Sequence, residues 1–156
     1  MESTAIGLGE ILIRKGLKLA IAESCTGGLL GGAVTAAAGS SSYFRGGVIA
    51  YDNDIKRDIL GVQSADLEKY GAVSDSVVRA MAAGAAKLFY ANCAISVSGI
   101  AGPGGGTDEK PVGLVFIGVY HQGQAQSRSF VFKGGRDDVR TQSVKAAIEF
   151  LIDVIG

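Results

Sequence analysis

Three short apolar runs constrain this chain more than any other feature: LKLAIA at 17–22, GVIAY at 47–51 and CAISV at 93–97. Each has the length of a strand. Each also gives way at once to small, polar or glycine-rich residues: ESCTGG at 23–28, the YDNDIK segment at 51–56, and SGIAGPGGGT at 98–107. Segments with helical periodicity separate the runs, so the pattern reads as strands alternating with helices. Such a chain stacks helices on both faces of a largely parallel sheet.

The helical segments are legible from their apolar faces and end signals. Residues 4–15 carry Ile6, Leu8, Ile11, Leu12 and Lys15 on one mostly apolar face, and Gly16 stops the helix. A second helix is predicted over 26–38. Asp52 or Asn53 caps a short helix bearing Ile55, Ile59 and Leu60, closed by Gly61. Ser64 is expected to cap a helix over 65–69, and Ser74 a longer one whose buried face is Val77, Val78, Met81, Ala85, Leu88 and Phe89. Strands at 112–120 and 127–132 flank HQGQ, a hairpin loop. Asp137 and Asp138 then open a last helix, where negative charge meets the positive end of the dipole, with Val144, Ala147, Ile148, Leu151 and Ile155 as its apolar stripe. The prediction is an α/β fold: three α/β/α layers around a central mixed, mostly parallel sheet, with residues 1–156 as a single domain.

Composition removes several functions. Fifteen Lys and Arg balance fifteen Asp and Glu, so the chain lacks the basic excess that a nucleic-acid binder uses to displace counterions from phosphates. The same balance offers no attraction to an anionic membrane surface. No apolar run reaches the ~18 residues of a membrane span. Two cysteines, Cys25 and Cys93, make no disulfide framework and suit a reducing compartment, so a soluble cytoplasmic protein is expected. Glycine is in excess, 24 of 156 residues, and clusters at the ends of the apolar runs, where backbone must pass close to a ligand or a neighbouring element.

The first cluster, Glu23-Ser24-Cys25-Thr26-Gly27-Gly28, falls where a strand hands over to a helix, the ligand side of an open α/β sheet. Ser24 or Thr26 is either a helix cap or, in the case of Ser24, a nucleophile with backbone amides at hand for an oxyanion. A serine nucleophile needs a base. The only histidine, His121, sits at the predicted hairpin tip and reads as a surface residue, so neither a Ser-His-Asp triad nor a zinc site fits. A lysine whose pKa is depressed by burial remains. Tyr51 ends the second run and Lys56 falls in the first turn of the next helix; either they are a packing aromatic and a solvated lysine, or they come near Ser24 where neighbouring strands end together. The loop 98–107 is neither a Walker loop nor a Rossmann fingerprint; it is a connector or a phosphate- and sugar-binding loop working through its amides.

Taken together these segments resemble the carboxy-terminal domain of the CinA (competence/damage-inducible) family and its stand-alone PncC-type members. The resemblance rests on ESCTGG, GSS from Gly39, the Tyr51-to-Lys56 spacing, GAVS at 71–74, SGIAGPGGGT, KPVG at 110–113 and FKGGRDDVR at 132–140. It implies hydrolysis of nicotinamide mononucleotide to nicotinic acid mononucleotide and ammonia, with Ser24, Tyr51 and Lys56 as catalytic residues. It further implies no metal, no cofactor and a homo-oligomer. The substrate would be held by Thr26, Gly27 and Gly28, whose backbone amides stabilise the oxyanion, and by Ser98, Gly102, Gly104, Gly105, Gly106 and Thr107. Asp52 stands where the resemblance leads one to expect Ser or Thr, which places a negative charge beside Lys56. Two other readings compete: a nucleotide-binding or regulatory module of the same fold without chemistry, and a cysteine hydrolase using Cys25.

Overall fold

A computed structural model describes all residues, 1–156. Six α-helices and five strands follow one another as α1 (Glu2–Lys15), β1 (Leu19–Glu23), α2 (Leu29–Ala36), β2 (Phe44–Ile49), α3 (Asn53–Asp58), α4 (Ser64–Tyr70), α5 (Asp75–Leu88), β3 (Cys93–Gly99), β4 (Leu114–His121), β5 (Gln124–Val131) and α6 (Arg136–Ile155). The strands form one sheet in the order β2-β1-β3-β4-β5. β1 pairs in parallel with β2 and β3, β4 is antiparallel to β3, and β5 is antiparallel to β4. The expected mixed α/β sheet is therefore present, parallel through its first three strands.

Alternation along the strands builds two cores. Leu19 and Ile21 of β1, with Cys93, Ile95 and Val97 of β3, pack into a cluster with α1, α2 and α6. The intervening Ala20, Ala22 and Ala94 pack with Val77, Val78, Met81 and Ala85 of α5 on the other face. Side chains of period two thus separate the two helical layers. The small residues on the second face have a steric reason. A Cβ on Gly84 would lie 1.8 Å from the Leu60 carbonyl oxygen, and one on Gly118 would lie 2.3 Å from that of Val78, so α5 rests almost directly on backbone.

Several local expectations shift. The second helix begins at Leu29, not Thr26, because Gly27 (φ 55°) and Gly28 (φ 111°) are both left-handed and residues 25–28 form a turn. β2 runs from Phe44 to Ile49, which leaves Tyr51 beyond the strand. Asp52 does cap α3, its Oδ1 accepting from Asp54 N at 2.8 Å. Gln63 takes the cap position expected of Ser64. Ser74 precedes α5 as expected, but its hydroxyl donates back to the Gly71 carbonyl instead of capping. The hairpin is tight: Gln122 and Gly123 both have positive φ, the geometry of a two-residue turn. Ile6 and Leu88 are exposed, whereas the whole α6 stripe is buried.

Candidate active site

The parallel strands bring three loops to one edge. Glu23 is in register with Ile49 of β2 and Val97 of β3, so residues 24, 50 and 98 lie side by side just beyond it. The ladder carries on for one further step, with Ser24 N donating to Val97 O and Ala50 N to Glu23 O. Continuing the alternation, Ser24 follows Ala20 and Ala22 toward the α5 face, and Ser98 follows Ala94 and Ser96. Cys25 belongs to the opposite cluster, with α2 and α6. Ser24 and Ser98 are buried.

Lys56 approaches from α3. It is 1% exposed, the largest fully buried side chain in the protein, and no carboxylate pairs with it. Its Nζ donates to the Tyr51 carbonyl at 3.0 Å, and no hydrogen bond joins it to Ser24. Burial lowers its pKa from the usual lysine value, and the charge of Asp52 opposes part of that shift. Lysine is expensive to bury charged, so the fold holds it inclined toward the neutral amine. The Cys25 thiol is driven the other way, to about 11, chiefly by burial. It is thus a thiol at neutral pH, unlike the low-pKa cysteines that act as nucleophiles.

The turn after Ser24 has an unusual hydrogen-bond pattern. Gly27 N donates to Ser24 O, and Gly28 N to the Glu23 carboxylate, so neither amide is free for a ligand. The Cys25 and Thr26 N–H groups find no acceptor in the protein, although both residues are buried. Thr26 Oγ1 is also buried without a partner. Buried main-chain donors are nearly always paired, so consecutive orphans beside a serine call for an explanation.

A cleft of about 230 Å³ opens next to this turn, lined by Cys25, Tyr51, residues 99–102, Gly104, Gly105 and Arg136. The glycine-rich loop therefore faces the site; Gly102, Gly104 and Gly105 line the cleft itself, while Gly106 packs against Val112 and Thr107 turns toward Lys110, its Oγ1 accepting from Lys110 N. Tyr51 is 61% exposed, and its hydroxyl accepts from Arg136 Nη2 at 3.3 Å. Arg136 Nη1 also donates to Gly102 O at 2.9 Å. Arg140, one turn on, donates to Cys25 O and Thr26 O. His121 pairs with Cys93 at the far end of β3, away from the cleft. No grouping of three or more His, Cys, Asp or Glu side chains suited to a metal ion occurs.

The sequence reading singled out the serine, the lysine and the loop, and did not single out Glu23, Arg136 or Arg140. Both arginines lie in FKGGRDDVR: Arg140 is over a hundred residues from the turn it holds, Arg136 reaches Gly102 and Tyr51, and only the closing of α6 over the sheet brings them there.

Residues 1–155 of the chain match the family model described as the CinA C-terminal domain. The chain belongs to the CinA C-terminal domain family. Among curated CinA relatives, a CinA-like protein of Rippkaea orientalis is 50% identical over 153 residues, 96% of this chain and 37% of the relative. A putative competence-damage inducible protein of Halothermothrix orenii is 46% identical over 145 residues, 92% of this chain and 35% of the relative. The chain therefore spans little more than a third of these curated relatives. Solved CinA structures match over nearly their full length. The competence/damage inducible protein CihA from Agrobacterium tumefaciens superposes with a TM-score of 0.96 at 42% identity, covering 99% of this chain and 95% of that one. A CinA superfamily protein from Escherichia coli gives 0.95 at 34% identity, covering 98% and 89%. No helix of the chain is long and apolar enough to cross a membrane.

Proposed function

We propose that the chain is a nicotinamide mononucleotide deamidase working by acyl transfer through Ser24. The observation that carries this reading is the pair of orphaned, buried N–H groups of Cys25 and Thr26, directly after a serine just beyond β1, together with a buried lysine that has no carboxylate partner. An amide hydrolase needs those parts: a nucleophile, a base neutral enough to accept a proton, and donors where charge develops on the carbonyl oxygen.

Ser24 Oγ attacks the carboxamide carbon and passes its proton to neutral Lys56. The tetrahedral oxyanion is held by the Cys25 N–H, at the cleft wall, and by the Thr26 N–H behind it as the turn gives slightly around the substrate. The earlier expectation that Gly27 and Gly28 amides serve here is dropped, because both already have acceptors. Each well-placed donor contributes roughly 3 kcal/mol to the transition state. Lys56 returns the proton to the leaving nitrogen, ammonia departs, and water hydrolyses the nicotinoyl ester. Tyr51 orients Lys56 through its carbonyl, and its hydroxyl joins Arg136 in the substrate cleft. Ser98 lies beside Ser24, and the glycine-rich loop from Gly102 to Thr107 receives ribose and phosphate, with Arg136 the one charged side chain lining the cleft.

In this reading the unit of activity is the single domain 1–156, acting in the cytoplasm as a homo-oligomer without metal or cofactor. Exposed Leu29 and Ile49 beside the free edge of β2 suit a contact between copies. The test is product analysis: with EDTA present, nicotinamide mononucleotide is converted to equal amounts of nicotinic acid mononucleotide and ammonia. Activity that disappears in EDTA and returns with a divalent metal contradicts the metal-free mechanism.

A further inference from the structure

Glu23 is a buried acid with no cationic partner. It is 2% exposed, directly precedes Ser24, and takes no part in the acyl-transfer scheme above. Its carboxylate accepts three main-chain hydrogen bonds, from Gly28 N at 3.1 Å, Leu30 N at 2.9 Å and Gly31 N at 3.0 Å. These are donors that the first turn of α2 cannot satisfy within the helix. Glu23 thus occupies the N-terminus of α2 with its side-chain oxygens.

This occupancy changes what the turn offers a substrate. A free helix N-terminus would attract any anion, the phosphate of a nucleotide included, and would compete with a specific oxyanion site. With Glu23 in place, the helix end is already filled, and the only unpaired amides on the turn are those of Cys25 and Thr26. Arg140 holds the matching carbonyls from the other side, at 3.1 Å to Cys25 and 3.3 Å to Thr26. The turn is therefore pinned at both ends while its centre is left open. Alternation completes the arrangement: Glu23 points to the α2 face and Ser24 to the α5 face, so the acid fixes the nucleophile without touching it.

We propose that Glu23 is a positioning residue, whose capture of three α2 amides sets Ser24 and directs the Cys25 and Thr26 N–H groups to the reacting carbonyl oxygen. The inference rests on the acyl-transfer reading, but its test does not depend on the substrate. An alkyl fluorophosphonate reports nucleophile alignment directly: Ser24 Oγ bonds to phosphorus, fluoride leaves, and the serine proton passes to the base. Glu23→Gln retains an oxygen for Gly28 and Leu30 but turns an NH₂ group on the Gly31 N–H. Glu23→Asp keeps the charge and falls short of the amides. Ile148→Val, in the α6 core, serves as a destabilised control remote from the turn.

Both Glu23 variants should fold, and both should label at Ser24 about a hundredfold more slowly than wild type, the scale expected of a displaced reacting group. Turnover of nicotinamide mononucleotide should lose kcat by a similar factor with little change in KM, while Ile148→Val labels at the wild-type rate. Folded Glu23 variants that label as fast as wild type overturn the proposal. Failure of both to fold also overturns it, since Glu23 would then serve the fold as a whole. Wild-type protein that labels at Ser24 but leaves nicotinamide mononucleotide intact refutes the substrate reading alone, and the labelling comparison still decides the role of Glu23. Wild-type protein that does neither contradicts both.

Discussion

The Nζ of Lys56 donates to the main-chain carbonyl of Tyr51 at 3.0 Å, five residues back along the chain. This contact turns the buried lysine side chain back to the residue just before the α3 cap. It also fixes the amine through a neutral acceptor, so nothing in the pairing demands that the amine be charged.

As the proposed base, Lys56 must be deprotonated to act. Activity should rise with pH along one ionisation, below the usual lysine value, and then level. Lys56→Arg should be as inactive as Lys56→Met, because guanidinium keeps its proton throughout this range. The stability consequence has a definite sign. The folded-state pKa is lowered, so between it and the usual lysine value the unfolded chain binds more protons, and wild-type stability rises with pH across that window. Lys56→Met removes this slope, and thermal melts at several pH values will show whether the two curves converge as pH rises.

Asp52 tunes the same group. Its charge raises the Lys56 pKa against the lowering effect of burial. Asp52→Asn keeps the side-chain oxygen that caps α3 but deletes the charge. The rising limb of the pH–rate profile should therefore move to lower pH with little change in the plateau. A limb that stays in place would mean that the ionisation belongs to another group.

Arg136 joins the two walls of the cleft through Gly102 O and the Tyr51 hydroxyl. Arg136→Gln should loosen the loop and remove the only cation lining the cleft. Its main effect should be on binding, with KM for nicotinamide mononucleotide raised about tenfold or more and kcat changed less. Steady-state kinetics separates this from a loss confined to kcat.

How much of this was legible beforehand differs from element to element. The apolar runs fixed the strands, and their common direction brought Ser24, Lys56 and the loop at 98–107 to one edge. Asp52 announced its cap by residue type. Other features depend on contacts that no local pattern encodes. Glu23 reads as one more polar residue after a strand until the α2 amides are seen around it. The start of α2 was misplaced because two consecutive left-handed glycines look, in sequence, like a small-residue helix. Tyr51 is expected at the end of a strand, near Ser24, yet it lies beyond β2, its hydroxyl meets Arg136 and its carbonyl accepts from Lys56.

Gly84 belongs with the features that only packing reveals. A methyl group there would collide with the Leu60 carbonyl, which has no flexible side chain to move aside. Gly84→Ala should destabilise the fold by about 3 kcal/mol, the upper part of the range for overpacking. Denaturant unfolding measures this, and an unaffected midpoint would show that α5 can lift away from the sheet at no cost.

The proposed reaction makes Ser24 the nucleophile that deamidates nicotinamide mononucleotide. Ammonia release from that substrate by wild type, Ser24→Ala and Cys25→Ala, measured in parallel on protein verified as folded, decides this. Wild type and Cys25→Ala should release ammonia steadily, and Ser24→Ala none above background. An active Ser24→Ala beside an inactive Cys25→Ala, or a folded wild type that releases no ammonia, would contradict it.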